Sequence, residues 1–78
     1  MRLNNRRRND INKALRDMER AMDIIENALN EEEDCLDNMP ENLQDRDRFS
    51  NMEDAIDNME NSIELIEEAI EYLNKAIE

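Results

Sequence analysis

A 13-residue pattern occurs twice in this chain, 41 residues apart, and it constrains the fold more than any other feature. Residues 17–29, Asp-Met-Glu-Arg-Ala-Met-Asp-Ile-Ile-Glu-Asn-Ala-Leu, return as residues 58–70, Asn-Met-Glu-Asn-Ser-Ile-Glu-Leu-Ile-Glu-Glu-Ala-Ile, with five identities. Most other positions keep size or polarity. Inside each copy the apolar residues recur at steps of three and four, the period of an amphipathic helix. The pattern predicts two equivalent long helices joined in the middle. Such an architecture offers a protein-binding or self-associating surface and specifies no chemistry by itself.

Extended along the chain, the spacing becomes a heptad repeat. In the first segment Ile11, Met18, Ile25 and Met39 take d, and Leu15, Met22, Leu29 and Leu36 take a, with Glu32 at one d position. In the second, Met52, Met59, Ile66 and Leu73 take d, and Ile56, Ile63, Ile70 and Ile77 take a. The sustained alternation predicts packed helices. If they fold back antiparallel, residue numbers facing each other across the seam sum to about 88, a register in which every a meets a d. Leu15 then meets Leu73, Met22 meets Ile66, Ile25 meets Ile63 and Leu36 meets Met52. Glu32 opposite Ile56 is the exception, either reaching outward along its stem or weakening the seam near the connector.

Local signals place the boundaries. Ser50 and Glu53 have the spacing of a capping box, which predicts a second helix over about 51–77. Asn4, Asn9 and Asp10 are all candidate caps for the first helix, predicted over about 5–38. Arg6, Arg7 and Arg8 oppose the helix dipole at that end. Pro40 stops the first helix by or before Met39. The connector is then about 39–50, with Leu43 and Phe49 folding back over the end of the pair. The whole chain reads as one domain: all-α, an antiparallel two-helix coiled-coil hairpin that dimerises into a four-helix bundle.

Dimerisation is expected because the apolar arc is wider than one seam needs. The g positions hold Ala14, Ala21, Ala28 and Cys35, then Ala55, Ser62, Ala69 and Ala76. Ile24, Leu65 and Tyr72 occupy c positions beside them. A lone hairpin leaves these three exposed, and two hairpins packed face to face bury them. Candidate interface residues are therefore Ile24, Leu65, Tyr72, Ala21, Ala28 and Ala69. A second copy is the expected partner, and a foreign protein fits the same arc. Cys35 is expected as a small buried or half-buried filler, and the methionines as seam filler.

Composition narrows the function. The chain lacks Gly, which argues against a phosphate-cradling loop, and lacks His, which removes histidine-based triads and the common zinc motifs. A carboxylate metal site needs inward glutamates, whereas here they fall mainly on b, e and f. Neither Glu31-Glu32-Glu33-Asp34 nor Asp45-Arg46-Asp47 has the ligand spacing of a calcium loop. We expect no catalytic residues, no cofactor and no metal. A single cysteine permits no intrachain disulfide, no signal peptide or transmembrane segment is recognisable, and the cytoplasm is the expected compartment.

Net charge is −12 and unevenly spread: residues 1–20 carry seven basic and three acidic side chains, residues 21–78 three basic and nineteen acidic. An acidic body of this kind is repelled by phosphate, so direct nucleic-acid binding and membrane binding are not expected. The basic arm alone could touch an anionic partner. Glu53, Asp57, Glu60, Glu64, Glu67 and Glu71 form a candidate acidic surface on the second helix. This gives three functional readings: a non-enzymatic protein-interaction module, an acidic mimic of nucleic acid that blocks a DNA- or RNA-binding protein, or capture of an anionic ligand by the basic arm.

Pro40-Glu41-Asn42-Leu43-Gln44, followed by Phe49, Met52-Glu53, Ala55-Ile56 and repeated Glu-Ala-Ile units, resembles small acidic helical proteins encoded by phages and mobile elements of Gram-positive bacteria. The resemblance covers about residues 21–77, with Pro-Glu-Asn-Leu-Gln as its most specific part. It implies a cytoplasmic accessory or inhibitor protein. It transfers no catalytic or binding residue.

Overall fold

The computed structural model describes residues 3–39 and 46–78, which form two α-helices, α1 (Asn5–Asp37) and α2 (Arg46–Ala76). Of the three candidate caps, Asn4 holds the start of α1. Its backbone is extended, its side-chain oxygen accepts the Arg7 amide at 2.9 Å, and its carbonyl accepts the Arg8 amide at 3.0 Å. The side-chain bond satisfies one otherwise orphaned donor at an end where the arginines oppose the dipole, and the carbonyl bond is the first rung of the helical ladder. At the other end the Asn38 amide donates to the Asp34 carbonyl at 3.0 Å, and the Met39 amide to Leu36 at 3.3 Å, tightening the last turn. Pro40, Leu43 and the Pro-Glu-Asn-Leu-Gln stretch lie outside the described residues.

α2 starts earlier than the capping box predicts. It begins at Arg46, so Ser50 lies within the helix and is exposed to solvent. The reason is tertiary. Arg46 to Phe49 contains no Gly or Pro to stop the helix, and Asp47 complements the dipole in the first turn. Phe49 also falls at the next a position, numerically opposite Met39 at d, and both are half-buried. Phe49 therefore continues the heptad pattern by one further layer; it is a helix residue and not a loop residue folded over the end.

The connection forces the two helices to run antiparallel. Nine peptide steps separate Asp37 from Arg46, about 32 Å at full extension. Helices of this length span about 50 Å, so the chain cannot return to the far end of α1 to start a parallel partner. The overall extents of 60 × 16 × 13 Å fit two helices side by side.

The seam carries the core, and it is thin. Among the described residues the buried apolar side chains are Leu15, Ile56 and Ile63, at 7%, 8% and 9% exposure. Every other apolar a or d residue from Ile11 to Met39 and from Met52 to Ile77 is half-buried. Two helices can enclose one line of contacts but cannot surround it. Glu32 is half-buried opposite the buried Ile56, which fits a stem lying along the seam while the carboxylate reaches solvent. Cys35 corrects the sequence expectation: it is exposed, like Ala14, Ala21 and Ala28 in the same row. A g residue faces sideways from the seam, and a single hairpin has no second layer to cover it.

Candidate functional site

Antiparallel pairing sorts the flanking positions onto two broad faces. Reversing one helix brings both g rows to one side of the hairpin and both e rows to the other, because g and e flank the a/d seam on opposite sides. The two faces are chemically unlike. One has uncharged g rows of small side chains, with Asp17 and Glu31 at its outer c edge; the other is lined by glutamates.

The g face combines small side chains with three large exposed ones. Ile24, Leu65 and Tyr72 are 62%, 65% and 66% exposed, and they are the exposed large hydrophobics among the described residues. Ala21 and Ala28 are exposed beside Ile24, and Ala69 is half-buried between Leu65 and Tyr72. Ser62 is no polar interruption: its hydroxyl donates to the Met59 carbonyl of its own helix at 2.7 Å. At the open end, the Lys75 ammonium lies 5.3 Å from the Tyr72 ring centroid and 3.5 Å from a Glu71 carboxylate oxygen. That ion pair is exposed and contributes only a few tenths of a kcal/mol.

The e face is a ladder of like charges. The register sets Glu19 level with Glu67, Glu26 with Glu60, and Glu33 with Glu53, ending in Asn12 and Asn74. Near the connector this geometry is directly visible. A shallow groove of about 230 Å³ is lined by Glu33, Leu36 and Asp37 from α1 and Glu53, Ile56 and Asp57 from α2. Its floor is apolar and its rim carries four carboxylates. Residues 33–37 thus lie beside residues 53–57, within one turn of the register read from the sequence.

The sequence-predicted acidic residues Glu53, Asp57, Glu60, Glu64, Glu67 and Glu71 are all exposed along α2, at its e and b positions. The same face has an α1 half that the α2 sequence does not reveal. Glu26 and Glu33 are half-buried there, and the signal that finds them is the e-to-e register across the hairpin. Among the described residues no group of three or more Cys, Asp or Glu side chains is gathered to hold a metal ion. No described helix is long and apolar enough to cross a membrane. No protein-family model, curated protein or solved structure matches the chain.

Proposed function

We propose that this chain is a non-enzymatic protein-interaction module that works by covering its g face with another helical surface, first of all a second copy, to form a four-helix bundle. One observation carries the reading. Ile24, Leu65 and Tyr72, each more than 60% exposed, lie on the same side of a hairpin whose own core buries only three described apolar side chains. Large apolar groups left in water beside a marginal core are the mark of an interaction surface. The 60 × 16 Å face is large enough for the roughly 800 Å² per partner of a stable interface.

In this reading the partner covers the side with the uncharged g rows and leaves the glutamate ladder in water. The assembled protein is a cytoplasmic accessory or inhibitor, of the kind that phages and mobile elements encode, acting by occupying a surface of another protein. Sedimentation equilibrium of Leu65→Glu tests the interface. A charge at the centre of the g face is expected to reduce a dimer to monomer while helicity persists, whereas Glu64→Gln on the opposite side leaves the mass unchanged. Equal masses for wild type and Leu65→Glu contradict the reading.

A second reading draws on the exposed row from Glu53 to Glu71, whose carboxylates recur about one helical turn apart. Such a row can occupy a phosphate-binding groove. It predicts binding to a basic nucleic-acid-binding protein that fades steeply with salt and with neutralisation of Glu60, Glu64 and Glu67.

A further inference from the structure

Two hairpins can stack on their g faces in two symmetric ways. With the two-fold axis along the bundle, both connectors fall at the same end and α1 lies over the partner's α2. With the axis across the bundle, the connectors fall at opposite ends and each helix lies antiparallel on its own copy. We infer the second arrangement: a second copy covers the g face with its connector at the opposite end, about an axis passing close to Ile24 and Leu65. The inference rests on the self-association proposed above.

Side-chain size permits this axis. Ala14, Ala21, Ala28 and Cys35 form the g row of α1, and its midpoint falls at Ile24. The α2 row runs from Ala55 through Ser62 and Ala69 to Ala76, and its midpoint falls at Leu65. In the hairpin register these midpoints are level, so one axis serves both helices. Ala14 then lies over the partner's Cys35, and Ala21 over the partner's Ala28. Each exposed Ile24 and Leu65 meets its own copy at the centre, where hot-spot side chains are best shielded from water.

Charge chooses between the two arrangements. The half of the hairpin nearer the connector, residues 25–39 and 46–65, carries twelve carboxylates and two arginines, a net −10. The open half, residues 3–24 and 66–78, carries eight carboxylates and seven basic groups, a net −1. Same-end stacking lays −10 against −10, while opposite-end stacking lays each −10 over a nearly neutral half.

The outer edges agree. Along f positions, opposite-end stacking sets Lys13 level with the partner's Asp34, and Lys75 level with the partner's Asp54, each twice by symmetry. Same-end stacking sets Lys13 level with the partner's Lys75, and Asp34 level with the partner's Asp54. Arg20 with the partner's Glu68 is the edge pair that favours same-end stacking. Asp17 level with the partner's Glu31 opposes the arrangement inferred here, but Lys13 and Arg20 flank it. No single exposed pair decides the outcome. The sum over the bundle has one sign.

The native Cys35 makes the orientation measurable. Ala14→Cys, at an exposed position, places a second thiol over the partner's Cys35 in the opposite-end bundle. Mild oxidation of this variant is expected to give a covalent dimer linked 14-to-35, at least tenfold above the disulfide yield of wild type. In wild type the two Cys35 thiols lie about 21 residue levels apart, roughly 32 Å, and remain unlinked. A dimer by light scattering whose Cys35 thiols are joined to each other by a short bismaleimide, and whose Ala14→Cys variant gives no 14-to-35 link, overturns the orientation but leaves self-association standing. A monomer by light scattering at every concentration overturns both.

Discussion

Ile63 and Ile24 are the same residue type at different heptad positions, a and c, and their surroundings separate them. Ile63 is 9% exposed on the seam and Ile24 is 62% exposed beside it. Ile63→Ala is therefore expected to cost about 2–4 kcal/mol in urea unfolding, large enough to unfold much of so small a domain. Ile24→Ala is expected to change the stability of the isolated hairpin by under about 0.5 kcal/mol and to weaken association measurably. The caps make a second contrast. Asn4→Ala removes the acceptor of the Arg7 amide and is expected to cost about 0.5–2 kcal/mol. Ser50→Ala, inside α2, is expected to be neutral or slightly stabilising, by a few tenths of a kcal/mol. Thermal melts followed by circular dichroism check both. A large loss at Ser50→Ala contradicts the early start of α2.

At the scale of the elements, the heptads make the helices and their pairing legible in the sequence, because a seam imposes a period that loops and strands do not keep. The start of α2 was less legible. Ser50 and Glu53 satisfy a local rule, while Phe49 at an a position satisfies a tertiary one, and burial decided the competition. The apolar half of the candidate site could be read residue by residue, since a c position beside a row of alanines is a one-helix property. The acidic half could not be read from α2 alone. Glu33 joins Glu53 at one groove only once the helices are antiparallel and in register. From that juxtaposition we expect Glu33→Gln to stabilise the hairpin by about 0.2–0.5 kcal/mol, the scale of like-charge pairs on helix surfaces. The gain should shrink in high salt, and equal melting temperatures for Glu33→Gln and wild type at low salt contradict the ladder.

The whole molecule combines a net charge of −12, a thin core and one face whose g rows carry no charge. Self-repulsion opposes compactness, so added sodium chloride is expected to raise the melting temperature, most steeply below about 0.15 M. The proposed association through the g face would give the hairpin a second layer without bringing the glutamate ladders together, and would make stability depend on protein concentration. The most direct test is solution mass by light scattering over a wide concentration range, at low and high salt. The proposed bundle has a mass of twice the 9.3 kDa chain that survives high salt, because apolar burial and not ion pairing would hold the two copies. A mass of 9.3 kDa at every concentration and salt would contradict it, and would leave Ile24, Leu65 and Tyr72 as the face of a foreign partner.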